Sequence, residues 1–472
     1  RSPIHNRPHS MKTSFHRSSL PLAALMGGLF AATAPAHAAS PFRPGDLVLS
    51  VYGNGNQSGV YGDNQASPIV LRDVTTSGSF VDQLVLPQAS FIGASGTINS
   101  AISGEYGSSS EGTLQRSADG HLLTIMGYGV NAASFNGATV NTTNAYGTQA
   151  LAQTTSVLGG SGTAVSRVVA AVNAQGKVDT STALFGFANT NNPRSATTVN
   201  GSSFYVAGQG VKGDGTQGVQ FVMDGASTGT VIYHGTDTRT ATIVNGQLYV
   251  STDSKQGGTA SNKGSSNIAV YGTTLPTTST APTILAGIGN SVTLAASQGN
   301  GISVTGKVNL SPENFFFANS TTLYVADGGQ PKRGGLGDGG LQKWSLVNGA
   351  WSLDYTLSAG LGLVANTATS GTSGLIGLTG QDVGGEVELF ATNSTLGDED
   401  QTYLFGIEDS LGATTLPNGE SFSILDTAAP DTILRGVAFA PTSAVPEPTN
   451  GPLLLAGLAL FGFIGRRRSR RS

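Results

Sequence analysis

The 472 residues include no cysteine. Disulfides, thiolate nucleophiles, cysteine-ligated zinc and iron–sulfur clusters are therefore excluded. A chain without disulfides must be held by its core, and more than 400 residues can build one. Histidine is nearly as scarce: beyond residue 38 only His121 and His234 remain. Neither sits in an HExxH or similar spacing, which excludes a His-rich metal site, and no metal site or cofactor is assigned. Charged residues make up 11%, about half the usual share, which argues against a coiled coil or a charge-rich disordered chain.

What is abundant points elsewhere. Glycine accounts for 67 residues, and hydrophobic residues at 38% still allow a core. Glycine and asparagine between short Val/Tyr/Leu runs fit an all-β protein with many turns. The formal charge of −4 conceals a segregation. Nine of the 24 Lys and Arg lie in the first 17 and last seven residues. Residues 39–447 carry the other 15 with all 28 acids, a net of −13. A surface of that sign repels phosphate backbones, so nucleic acid is not an expected partner.

The two ends read as addresses. Residues 1–10 precede Met11 and are taken as an upstream extension. From Met11 the chain runs Lys12, His16, Arg17, then the apolar stretch Leu20–Phe30, then Ala36-His37-Ala38. Basic start, short apolar middle and A-x-A end are the parts of a secretory signal peptide over 11–38, with cleavage near Ala38 and use of Sec-type export machinery. The apolar run is shorter than the ~20 residues a permanent span requires.

At the other end, Val445-Pro446-Glu447-Pro448 is followed by an apolar run from Pro452 to Gly465 and by Arg466, Arg467, Arg468, Arg470 and Arg471. Residues 444–472 resemble the PEP-CTERM sorting signal: a Pro-Glu-Pro motif, a short hydrophobic transmembrane helix and a terminal arginine cluster. The resemblance covers about the last 28 residues and implies tail processing by an exosortase in a Gram-negative, exopolysaccharide-making cell. The arginines would stay cytoplasmic while the preceding domain stands outside the inner membrane, which holds the chain only transiently. The prolines keep Glu447 extended. The expected location is the cell envelope, the cell surface or the extracellular matrix.

Between the ends one theme recurs. Arg194–Val206, with Asn200-Gly201, is echoed by Arg239–Val250, with Asn245-Gly246; looser copies are Arg116–Ile125 and Phe317–Ala326. Each reads as two strands joined by a turn, usually followed by two more strands. Four antiparallel strands per repeat is a β-propeller pattern. Blades are predicted near 113–187, 194–233, 239–285, 313–357 and 373–426. Asp46–Val51, Ile69–Leu71 and Val81–Leu86 supply only three strands, and Arg435–Ala440 supplies a surplus one. Pairing the last strand with the first three completes six blades over 39–443 and removes both open edges. Seven blades is the alternative, with a β-helix or β-sandwich as competitors. Helix is expected only in the two terminal segments.

Few residues in the domain carry recognisable chemistry. An Asn348-Gly349 turn would pair Leu346 with Trp351 and Trp344 with Leu353 on one face, either as a sugar-stacking platform or, preferably, as packing between blades. His121 and His234, in strand-like contexts, are assigned structural or surface roles. Asp398-Glu399-Asp400 forms a loop triplet without the spaced calcium-loop pattern, and Asp327 and Asp338 flank a glycine-rich loop. G-x-G-x-x-G at Gly208/Gly210/Gly213 and Gly335/Gly337/Gly340 is unremarkable at this glycine content and lacks a following helix. The polar loops near 131–163 and 254–266 could gather into a binding face. No catalytic residue is assigned. The leading expectation is a surface-anchored or released propeller that binds or scaffolds extracellular polysaccharide or a biofilm-matrix protein. The alternative is a carbohydrate-active hydrolase or lyase with acids in the propeller funnel.

Overall fold

The computed structural model describes residues 41–443 except 56–59, 95, 141–145, 147–148, 161, 255–264, 290, 295–305, 331–338 and 366. Ala36, Ala38, Pro446, Glu447, Pro448, Arg466, Arg467, Arg468, Asp338, most of the 254–266 loop and the glycines at 335 and 337 lie outside the described residues.

Runs of β-branched and aromatic residues form strands throughout. The first are β1 (Leu47–Gly53), β2 (Ala66–Val74), β3 (Phe80–Val85), β4 (Phe91–Ile92), β5 (Ile98–Asn99) and β6 (Ser103–Glu105). Next come β7 (Gln115–Arg116), β8 (Leu122–Tyr128), β9 (Arg167–Asn173) and β10 (Val178–Leu184). Four meanders follow, each a separate antiparallel sheet in chain order. They are β11 (Pro193–Thr197), β12 (Ser203–Gly208), β13 (Gly218–Met223), β14 (Thr230–Tyr233); then β15 (Ala241–Val244), β16 (Gln247–Ser254), β17 (Ser265–Tyr271), β18 (Pro282–Gly289). After a hairpin of β19 (Ser291–Leu294) and β20 (Gly306–Asn309) come β21 (Pro312–Phe317), β22 (Thr322–Asp327), β23 (Gly340–Val347) and β24 (Ala350–Leu357). The last are β25 (Thr372–Val383), β26 (Glu386–Thr395), β27 (Tyr403–Ser410), β28 (Ser423–Thr427) and the lone β29 (Thr432–Phe439).

The final strand does return to the first. β29 pairs antiparallel with β1, with Leu47 opposite Phe439 and Gly53 opposite Thr432. β1 then pairs β2, and β2 pairs β3. β7 to β10 form another meander, which β6 joins to the first by pairing with both β2 and β8. The two are thereby merged into one nine-stranded sheet. A separate apolar core lies between each of the larger sheets and the next. Leu47, Val70, Phe390 and Leu404 share the one that joins the last meander to the first strands. A cavity of about 230 Å³ takes its walls from five first or closing strands, through Gln115, Thr242, Phe316, Leu378 and Val437.

Local turn chemistry sets the hairpins. Asn245 and Gly246 both have positive φ (49° and 74°), as do Asn348 and Gly349 (50° and 82°). These are two-residue turns closing Val244–Gln247 and Val347–Ala350, and their twist matches that of the flanking strands. Asn200-Gly201 and Asp119-Gly120 differ, with positive φ at the glycine alone. There the Thr198 and Ser117 hydroxyls accept backbone N–H groups of Gly201 and Leu122 and shape longer turns.

Three expectations need correcting. Helix is not confined to the terminal segments, because Ala132–Val140 forms a nine-residue helix, α1. The Asn131 carboxamide oxygen caps it by accepting Ser134 N–H at 2.8 Å, and Ala132 and Phe135 pack beside Tyr128 and Val130. So short a helix is held by tertiary packing, which leaves no periodic signal in the sequence. Strands hidden in long loops are present, as β4–β5 and β19–β20, but they are two-stranded and add no four-stranded sheet. The two histidines lie just outside strands: His121 immediately precedes β8, and His234 immediately follows β14. Among the described residues no helix is long and apolar enough to cross a membrane.

Candidate functional site

Charge is concentrated where first strands begin. Arg194 is the second residue of β11, Arg239 lies just before β15, and Glu313 is the second residue of β21. Arg194 Nη1 lies 3.0 Å from Asp237 Oδ2, and Arg239 Nη1 lies 2.9 Å from Glu313 Oε2, all four side chains being buried. Burial pushes the Arg239 guanidinium down, but Glu313, Asp253 and Asp237 outweigh it and hold the proton on more tightly than usual. Asp253 accepts from the Ser266 and Ser311 hydroxyls at 3.0 and 2.8 Å. Asp327 accepts from Ser311 N, Gly329 N and Gln342 Nε2 at 2.9–3.0 Å. These carboxylates anchor backbone and neighbouring sheets, as buried charges must. Arg435, on β29, is buried with none of its three guanidinium nitrogens hydrogen-bonded among the described residues. Burial lowers its pKa against the opposing influence of Tyr52, Glu111 and Asp398.

A second cluster joins two carboxyl groups. Glu105 ends β6, and Glu111 follows in the turn, so that Glu105 N–H donates to Glu111 Oε2 at 3.3 Å. Asn192 Nδ2 donates to Glu111 Oε1 at 2.7 Å, and the Tyr128 hydroxyl donates to the same oxygen. Ala152 N–H donates to Glu105. Burial, and then Glu111 itself, pushes Glu105 up to about 8; burial likewise raises Glu111. Two adjacent buried carboxyls cannot both ionise cheaply. The Arg167 guanidinium caps the Tyr128 ring at 4.6 Å and donates to the Val165, Ala152 and Thr154 carbonyls, clamping the segment that reaches Glu105.

The surface offers a different kind of site. A cleft of about 340 Å³ opens beside β1, β2 and β3, lined among others by Asn54, Val70, Arg72, Phe80, Gln83 and Val85. Register places Val85 opposite Val70 and Gln83 opposite Arg72, which stacks an apolar row beside a polar one on one face. Phe80 is 55% exposed, and the Arg72 guanidinium lies 5.4 Å from its ring centroid. Arg72 is fixed in turn by Asp426 of β28 at 3.3 Å.

The residues singled out in the sequence do not meet in a site. Trp344 pairs with Leu353 and Trp351 with Leu346 as the turn predicts. Both rings are buried, at 1% and 8% exposure, against Ile268, Phe315 and Leu323, so they pack between sheets and present no stacking platform. His121 Nδ1 lies 2.9 Å from the Thr442 carbonyl oxygen and straps the segment after β29. In the acidic triplet, burial would raise Asp400, but donors from Gly371, Ser370 and Gly397 outweigh it and lower its pKa. Gly208, Gly210 and Gly213 lie at the β12–β13 turn, with no helix after them. Gly225-Ala-Ser227-Thr-Gly229 has the spacing of a nucleophile elbow, but it forms the turn between β13 and β14 instead of leading into a helix. Sequence reasoning missed the Glu105–Glu111 pair, six positions apart around a turn, and the Arg72–Phe80 cleft, whose parts meet across β2 and β3.

No family model and no curated protein matches the chain. Among solved structures it is similar to the GH74 enzyme of Niastella koreensis at 10% identity and a TM-score of 0.35, over 79% of this chain and 46% of that one. An oligogalacturonate lyase of Vibrio parahaemolyticus aligns at 8% identity and a TM-score of 0.33, over 77% and 91% of the two chains. The β-propeller domain of a Pyrococcus furiosus protease aligns at 9% and 0.31, over 80% and 98%.

Proposed function

We propose that the protein is an exported six-bladed propeller that binds extracellular polysaccharide through the cleft beside β1–β3. The observation carrying this reading is the half-exposed Phe80 ring beside the fixed guanidinium of Arg72, with Gln83 and Asn54 on the same cleft. An open aromatic face suits the apolar face of a sugar ring, and planar amide and guanidinium donors suit its hydroxyls. The six-blade count is supported by four separate four-stranded meanders, the β7–β10 meander and the β29-β1-β2-β3 pairing. Co-sedimentation of the full chain with the host's crude exopolysaccharide, followed by sizing of the polymer, tests the function. Retention without shortening is expected, with Phe80→Ala weakening it about tenfold, the worth of one lost ring contact. No retention would overturn the reading and leave a matrix-protein partner or a passive scaffold.

A carbohydrate-active hydrolase or lyase is the second reading, favoured by the Glu105–Glu111 pair. A carboxyl pushed up to about 8 is protonated at neutral pH, as a general acid must be. Shortened polymer, abolished by Glu111→Gln, would move the case there. The address is part of the proposal: a signal ending at Ala36-His37-Ala38, and a tail in which an exosortase reads Pro446-Glu447-Pro448 and the Arg466–Arg468 cluster stops transfer. Changing the three motif residues to alanine is expected to leave the tail uncut, detected as a heavier chain retained in the membrane fraction. Unchanged mass and location would sink the sorting claim.

A further inference from the structure

We propose that Lys343 and Asp409 join in an intramolecular isopeptide bond, a covalent staple between the β21–β24 and β25–β28 sheets. Lys343 lies on β23 and Asp409 on β27, 66 positions apart in sequence. Nζ stands 2.8 Å from Asp409 Oδ2, and the two side chains are 1% and 0% exposed. No solvent competes for either group there, and the amine is held against the carboxyl that would acylate it.

The surroundings supply what amide formation needs. The Tyr355 hydroxyl donates to Asp409 Oδ1 at 2.6 Å, and the Tyr324 hydroxyl donates to Oδ2. Two donors aimed at the carboxyl oxygens stabilise the oxyanion that forms when an amine adds to the carbon. Nζ lies 5.5 and 5.3 Å from the Tyr324 and Tyr355 ring centroids, and it donates to Tyr355 Oη at 3.1 Å and to the Ser410 carbonyl at 2.5 Å, which hold it in place. Glu420 stands beside the pair, hydrogen-bonded to Asp409. Burial, then Asp409, pushes its carboxyl up to about 7, so near neutral pH it can both accept and return a proton. Asp354, another carboxyl near Lys343, is engaged by the Ser345 hydroxyl at 2.5 Å.

The step balances without any added reagent. With the ammonium proton passed to the carboxyl, the neutral Nζ lone pair adds to Asp409 Cγ, and the C–N bond forms. Glu420 relays the second amine proton to the departing hydroxyl, the C–O bond breaks, and one water leaves. A chain without cysteine would thereby gain the cross-link that disulfides give other extracellular domains.

Intact-mass measurement of the denatured full chain is the test, with peptide mapping. The expected result is a mass lower by one water and a branched peptide joining Lys343 to Asp409, with the linear Lys343 peptide gone. Lys343→Arg, which keeps the charge but cannot form the amide, is expected at full mass. Glu420→Gln is expected to accumulate the unlinked form. A wild-type chain at full mass with a linear Lys343 peptide overturns the proposal. So does a water loss that maps to any other position. Both readings come from the wild-type protein and do not depend on a variant folding.

Discussion

Replacing Arg239 with methionine is expected to destabilise the fold by about 3–5 kcal/mol, the usual cost of removing one partner from a buried ion pair. The guanidinium sits 2.9 Å from Glu313, and the Asp237 and Asp253 carboxylates add to the field that holds its proton. Methionine matches much of the apolar stem but leaves three buried acids facing each other with Arg194 as the nearest cation. The Arg239→Met, Glu313→Gln double variant should recover a large part of the loss, because removing both charges also removes their desolvation cost. Urea unfolding of the three proteins measures this. A single-variant loss below about 1 kcal/mol would place the pair among weak surface-type bridges.

Raising the pH from about 5 to about 8 is expected to weaken the fold by roughly 2–4 kcal/mol through the coupled Glu105–Glu111 pair. The sign follows from the direction of its shift. Burial and Glu111 raise the folded-state pKa from 4.5 to about 8. Between those values the unfolded chain releases the proton while the folded chain keeps it. The stability is therefore present below the unfolded value and lost as pH climbs toward the folded one. Glu105→Gln keeps an acceptor for Ala152 N–H and removes the titration, so its stability curve should be flatter over this window. Parallel curves for the two proteins would show that Glu105 is not the group responsible. Glu420 and Asp73, pushed up to about 7 and about 6, add slopes of the same sign that the substitution leaves in place.

Much of the fold was legible because its signals are local. Asn245-Gly246 and Asn348-Gly349 fix hairpin register by backbone chirality, and the Trp344–Leu353 and Trp351–Leu346 pairs follow by counting outward from the turn. Even the return of β29 to β1 was readable, since three strands at one end and one spare at the other leave two open edges to satisfy. Short segments without their own periodicity escaped. Helix α1 depends on burying Phe135 beneath Tyr146 and Tyr128, and β6 is a strand only because β2 and β8 lie on either side of it.

The candidate sites were illegible for the opposite reason. Arg194 meets Asp237 across 43 positions, Lys343 meets Asp409 across 66, and Arg72 meets Asp426 from opposite ends of the domain. Spacing along the chain carries no trace of such pairs, and the acids that stood out together, Asp398-Glu399-Asp400, form an ordinary loop. By itself the sequence determined the longer strands, their hairpin turns and their order, because turn chemistry and period-two alternation act within a few residues. Only the tertiary structure decided which charges are buried, which carboxyls hold their protons and where a ring stays open to solvent, because desolvation and pairing depend on what packing brings alongside.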